Sequence, residues 1–239
     1  MNESIYTISY FDLVWVLLPV GIVVAVFVRW SMGITSLLHG FARMFIQLLL
    51  VGYALSTIFN ADQPLVVLAI LGVMLFAAGM ISLRPVSAKR SGLYFKALAA
   101  ISAGGILTLV IVTQAVIALD PWYKPRYVIP LAGMIFANAM NAVSIGAERF
   151  EVEFGRSRDY PAARSAALRA SLIPITNSLF AVGIVSLPGM MTGQILSGVS
   201  PLIAARYQIM VMCMVFGASG ISSALYLFLL GREVEAEAP

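Results

Sequence analysis

The chain has 239 residues, 61% of them hydrophobic and only 11% charged, with a net charge of +4. A soluble domain carries roughly 25% charged residues, so this composition, with a mean hydropathy of +0.96, excludes a water-soluble globular protein and indicates an integral membrane protein. The single cysteine excludes an internal disulfide, and the arginine excess reads as membrane orientation rather than affinity for nucleic acid.

Crossing the hydrocarbon core takes about 20 apolar residues in a helix. The N-terminal Met-Asn-Glu-Ser-Ile-Tyr lacks the basic region and the cleavage site of a signal peptide, so the first apolar run, 11–28, is expected to stay as a span. The second, 44–59, is short, and 36–43 can extend it. The remaining runs are 65–83, 94–119, 128–147, 171–199 and 207–230. The expected fold is an all-α, polytopic membrane helical bundle of about seven transmembrane helices.

With the N-terminus outside, twelve of the fifteen Lys and Arg residues fall on the inner side, and only Lys124, Arg126 and Arg206 fall outside. The positive-inside rule then gives an outside N-terminus and an inside C-terminus. Trp15, Trp30, Trp122, Tyr123 and Tyr127 fall near the expected interfaces. Pro64, Pro121, Pro125 and Pro201 punctuate three short outer loops. Residues 1–231 read as one transmembrane domain, and 232–239 as an acidic, irregular cytoplasmic tail.

The one sizeable hydrophilic element, 148–170, joins the fifth and sixth runs on the inner side. Glu148, Arg149, Glu151, Glu153, Arg156 and Arg158 alternate with Phe150, Val152 and Phe154. Gly155 and Pro161 are expected to mark a turn, after which the alanines around Arg164 and Arg169 favour helix. Such an element is either a solvated loop or a short helical piece that seats into a cytosolic partner and passes its motion to the sixth run. The second reading gains from what lies downstream. The sixth run carries Gly-Ile-Val-Ser-Leu-Pro-Gly-Met-Met-Thr-Gly-Gln at 183–194, with three glycines and a Pro-Gly break, and a helix broken in hydrocarbon needs its freed backbone groups satisfied by protein or a cavity. Pro188, Gly189 and Gly193 are therefore candidates for a hinge, with a gate or a part of the path as alternatives.

Much chemistry is missing from the spans. All eleven carboxylates fall in loops, in tails or at span edges, and the only histidine, His39, is beside the first inner loop. Proton-coupled transporters use buried titratable relays, which this pattern does not supply. It offers no paired carboxylates, no His/Cys cluster and no phosphate-cradling GxxxxGK[ST] loop, so neither a catalytic site nor a metal site is assigned. The amides and thioethers remain. Asn138 and Asn141, three apart, share a helix face, and with Asn177, Met190 and Met191 they are the candidates for a substrate path. Interhelical hydrogen bonding and packing are the alternatives for the same residues.

Three stretches carry a resemblance: Gln-Leu-Leu-Leu-Val-Gly-Tyr at 47–53, Val-Ile-Pro-Leu-Ala-Gly-Met-Ile-Phe-Ala-Asn-Ala-Met at 128–140, and the 184–194 segment. Ser200-Pro201 and Tyr-Gln-Ile-Met at 207–210 extend it. With these the chain resembles the Fet-type ABC transporter permeases, the family of bacterial iron-export permeases to which plant aluminium-tolerance half-transporters are also similar. The resemblance implies a multi-pass plasma-membrane (bacterial inner-membrane) subunit that dimerises and exports a metal, iron in the best-known case. It also implies that Mg-ATP is bound by a separate cytosolic ABC ATPase and that this chain carries no cofactor. An organic cargo such as a nucleotide sugar, or a membrane anchor that recruits a partner without transport, are the alternatives.

Overall fold

The computed structural model describes residues 9, 11–59, 63–86 and 91–236. Asp62, Lys89, Arg90 and the last three residues of the expected tail lie outside the described residues. The chain divides into two compact units, 1–60 and 61–239.

The first unit holds α1 (Leu13–Arg29) and α2 (Thr35–Phe59). α2 begins at Thr35, so the 36–43 stretch does belong to the second apolar helix. No residue of α1 is buried. Trp15, Leu48, Leu49 and Tyr53 all stand exposed, as side chains meant for lipid do.

The second unit runs α3 (Pro64–Ser82), α4 (Ser91–Val110), α5 (Pro125–Ser157), α6 (Tyr160–Ala181), α7 (Gly189–Leu196) and α8 (Pro201–Ala236). A π-helical stretch, Ile111–Val116, continues α4. Pro64 and Pro125 sit in the first turn of their helices and Pro201 opens α8, where proline's fixed φ suits the helix and its missing N–H costs no hydrogen bond. The loop prolines thus start helices as well as punctuate turns.

Among the described residues there is no β-strand, and five helices are long and apolar enough to cross a membrane: α2, α3, α4 with its π-helical extension, α5 and α8. α1 is shorter at 17 residues, and the sixth apolar run is divided between α6 and α7. The protein is a helical membrane bundle. α8 continues to Ala236, through residues expected to form an irregular tail.

Within the second unit α8 packs along α4, α5 and α6, α3 lies against α4 and α5, and α7 rests on α8. Small residues make these approaches close. Ala97, Ala100, Ala132, Ala139, Ala167 and Ala218 are wholly buried. At Gly104 a Cβ atom would collide with Ser222 Oγ, at Gly105 it would lie 2.7 Å from the Phe136 ring, and at Gly146 it would lie 2.9 Å from Ser223 Oγ. Lipid tails are as apolar as leucine, so helices in a bilayer associate by tight van der Waals contact and interhelical hydrogen bonds. The Ser223 hydroxyl supplies one such bond, donated to Ser171 Oγ at 2.8 Å between α8 and α6.

Gly104→Ala therefore should overpack the α4–α8 seam and destabilise the fold by about 1–3 kcal/mol. Adding Ser222→Ala removes the colliding oxygen and should recover part of the loss. Thermal unfolding of the detergent-purified protein, followed by size-exclusion recovery, checks both variants.

Candidate functional site

The 148–170 element is not a loop. α5 runs without interruption through Glu148 to Ser157, and Gly155, expected at a turn, lies inside it. The chain reverses at Arg158 and Asp159, and α6 begins at Tyr160. Arg158 adopts the left-handed conformation, φ +55°, and its N–H is bonded to the Phe154 carbonyl, a helix ending that usually takes glycine. The Asp159 carboxylate accepts from the Ala162 N–H at 3.2 Å and caps α6, with Pro161 in the first turn as expected. The result is a helical hairpin closed by a two-residue turn.

Charges cover the outside of the hairpin and aromatic rings fill its inside. Glu148, Arg149, Arg156, Arg158, Arg164 and Arg169 are exposed, and Glu151 and Glu153 are half-buried. Arg149 pairs with Glu153 at 2.7 Å one turn along the helix. Beneath them Phe150 stacks on Phe154 with centroids 5.4 Å apart, and meets Tyr160 edge-on at 5.9 Å. The Arg158 guanidinium lies over Phe154 and that of Arg164 over Tyr160. The Tyr160 hydroxyl then donates to the Leu227 carbonyl of α8 at 2.8 Å, and its ring packs directly on Gly231. The hairpin is thereby fastened to the far end of α8 by one side chain.

The interruption in the sixth run is wider than a kink at Pro188-Gly189. α6 stops at Ala181, seven residues of turn follow, and α7 restarts at Gly189 with Pro188 as its N-cap. Two features end the helix: Gly183 takes φ +84°, and Pro188 drives Leu187 away from helical geometry. The turn pairs several of its own N–H groups. The N–H groups of Ile184, Val185 and Ser186 all reach the Ala181 carbonyl, and Gly183 donates to Ser186 at 2.9 Å. Local bonds therefore meet part of the membrane's demand, and Ile184, Val185 and Leu187 stay exposed instead of buried in the chain. Past α7, Gly198 takes φ +90°. At Gly189 and Gly193 a Cβ would meet nothing within 4 Å, so packing within this chain does not require glycine there.

A cavity of about 590 Å³ opens where α5, α7 and α8 meet. Of the five candidate path residues, Met190 alone lines it, joined there by Met134 and Met210. Met191 is half-buried beside it in sequence. Asn138 turns back on its own helix, its Nδ2 donating to the Met134 carbonyl at 2.8 Å. Asn141 and Asn177 are exposed. Among the described residues no group of three His, Cys, Asp or Glu side chains could hold a metal ion.

A family model described as "Uncharacterised protein family (UPF0014)" matches residues 10–163 and 157–234. The chain belongs to the UPF0014 family. Its relatives include the UPF0014 membrane protein slr1647 of Synechocystis, 33% identical across 93% of this chain and 92% of that protein. The "Probable iron export permease protein FetB" of Escherichia coli is 32% identical across 86% of this chain and 80% of its own. The "Protein ALUMINUM SENSITIVE 3" of Arabidopsis thaliana is 30% identical across 88% and 82%. No solved structure matches. The likeness to the iron-export permeases read from the 47–53, 128–140 and 184–194 stretches thus extends along most of the chain.

Within this UPF0014 protein the sequence pattern missed Tyr160 and Gly198, and it held Gly183 only as the first residue of the interrupted stretch, not as the end of α6. Only the aspartate-aromatic-proline run at 159–161, where a cap precedes a ring at a helix start, hinted at the first. Tyr160→Phe keeps the ring stack but deletes the bond to α8, and should weaken that anchorage by about 0.5–1.5 kcal/mol. Amide hydrogen exchange in the first turns of α6 should accelerate, with exchange in α3 unchanged.

Proposed function

We propose that this protein is the membrane subunit of an ATP-driven exporter of iron or a similar metal. It would work as a homodimer with two copies of a separate cytosolic ABC ATPase in the bacterial plasma membrane. The observation that carries this reading is the α5–α6 hairpin: two helices closed by a two-residue turn, charge-covered outside and aromatic inside, fastened to α8 through Tyr160. A stiff element of this kind suits the transfer of force from a partner domain, whereas a solvated loop does not. The twelve-to-three division of cations supports a cytoplasmic position for it, and similarity to a protein named as an iron export permease supports metal as cargo.

In this mechanism closure of the ATPases on Mg-ATP displaces the hairpin. Tyr160 carries the displacement to α8, and continuity of the helix carries it to α6. α7 then swings between Gly183 and Gly198, the two positions flanking it whose backbone is left-handed. Because Met190 of α7 lines the α5–α7–α8 cavity, the swing changes access to that space. Pro188 stiffens the start of α7, and Gly189 and Gly193 give it a slim, open face. The metal needs only weak, transient contacts to oxygen and thioether groups along such a route.

Affinity purification of the tagged chain from its native membranes tests the reading. Mg-ATPase activity and a P-loop subunit should co-purify, and Glu148→Lys with Glu151→Lys should remove both while leaving the membrane protein folded. Retention of the ATPase after charge reversal contradicts docking at the hairpin. Gly183→Val should separate the two halves of the mechanism. A β-branched residue at φ +84° costs roughly 1–3 kcal/mol, so transport should fall at least tenfold with ATPase co-purification intact, while Gly189→Leu, facing open space, should transport nearly as the parent does.

A further inference from the structure

Depth in the bilayer decides what the surface of α6 can meet. The charged Lys124 caps α5 and holds that end at the membrane surface. Gly146 lies further along the same helix, about 31 Å from Pro125 by helical rise. A Cβ at Gly146 would stand 3.5 Å from Ser171 Cβ, so Ser171 of α6 lies at that level. α6 runs back toward the start of α5 and ends at Ala181, ten residues or about 15 Å nearer to it. The hydrocarbon is about 30 Å thick, which puts the end of α6 and the 182–188 turn near its middle. Met190, just past the turn, lines one cavity with Met134 of α5, itself about 14 Å from Pro125, and agrees with this depth.

At such a depth no water is present, and polar groups need protein partners. Several here have none among the described residues. The carbonyls of Val182, Gly183, Ile184, Val185 and Leu187 accept no hydrogen bond, and the Leu187 N–H donates none. Asn177 stands exposed on α6, about 9 Å along the helix from Ser171, and no hydrogen bond reaches its amide. It shares one face with Ile173 and Phe180, spaced four residues before it and three after. Both are exposed, Phe180 by 79%, and Ile184 of the turn continues the surface at 88%. An amide and open backbone groups set in bulky apolar side chains are costly against acyl chains and fit a second protein surface.

We propose that this surface, Asn177 and Phe180 of α6 with 184–187 of the turn, is where two copies of the chain meet. Copies inserted in the same direction are related by a two-fold axis along the bilayer normal, so groups at equal depth face each other. A primary amide both donates and accepts, and Asn177 pairs reciprocally with its own symmetry mate. The Leu187 N–H and the open turn carbonyls are likewise both donor and acceptor, so the same axis pairs them, while Phe180 and Ile184 pack around the polar centre. An acyl chain supplies no donor at this depth, and a cytosolic partner does not reach it. The turn is thus incomplete in one chain and completed by the second. The inference rests on the homodimer of the proposed function but not on its ATPase or its cargo.

Disulfide trapping in native membranes tests the proposal, on a chain freed of its single cysteine by Cys213→Ala. Asn177→Cys and Leu187→Cys, each introduced alone, should convert most of the protein to a covalent dimer on mild oxidation. Leu107→Cys, at an exposed position of α4, should stay monomeric. On the native chain Asn177→Leu should weaken self-association in proteoliposomes about tenfold, by energy transfer between tagged copies, because two symmetric amide bonds are lost. Asn177→Gln, which keeps the amide, should weaken it much less. Cross-linking of Leu107→Cys as strong as that of Asn177→Cys, or unaltered association in Asn177→Leu, overturns the proposal. A link from Leu187→Cys to Gln47→Cys within one chain, in place of the dimer, assigns the cover to α2 and also overturns it. Co-purification of two differently tagged copies without cross-linking at 177 or 187 sinks this interface and leaves the homodimer standing, whereas failure to co-purify removes both. If Asn177→Cys does not insert, Leu187→Cys decides alone, since that side chain is exposed.

Discussion

Helices surrounded by hydrocarbon gain little by hiding apolar surface from one another, so close approach of their backbones has to hold the bundle together. α8 is where that approach occurs. Gly104 of α4 leaves room for Ser222, and Gly146 of α5 leaves room for Ser223, which bonds to Ser171 of α6. Three helices are thereby drawn onto one, and every functional element described above is positioned against it. The hairpin hangs from its far end through Tyr160, α7 lies along its side, and the cavity uses its first three turns as a wall.

That arrangement gives the proposed mechanism its economy. A projection fastened to α8 at Leu227 and Gly231, and continuous with α6, can move two helices at once. α7 has only short turns at either end, each with a glycine in left-handed geometry, and it forms a wall of the cavity. Motion entering at the hairpin therefore has a structural route to the space that opens between α5, α7 and α8, with the glycine-serine seam as the fixed part.

The sequence made the helical segments legible because the signal, long apolar runs in a charge-poor chain, is the strongest that a sequence carries. Proline marked the helix starts at 64, 125 and 201 for a reason that is local to the backbone. The turn of the hairpin falls between Gly155 and Pro161, the residues that marked it, but the reversal itself is made by Arg158, in the left-handed position that glycine would have filled. The break was visible through Pro188, but its width was not. Gly183 ends α6 five residues earlier by a conformational choice that no spacing rule encodes. The cavity was least legible, since Arg126, Gln194 and Met210 come together only through the packing of three helices, and neither amphipathicity nor motif spacing links them.

In the proposed mechanism the hairpin couples nucleotide hydrolysis by a separate subunit to movement of a metal through this chain. Co-reconstitution of the chain with its co-purifying ATPase in proteoliposomes measures it most directly, by following ATP-dependent movement of iron(II) across the vesicle wall. Metal transport that requires ATP and the intact hairpin, with hydrolysis stimulated by iron(II), is the predicted result. ATP hydrolysis without metal movement, or stimulation by an organic solute such as a nucleotide sugar in place of iron, would contradict it.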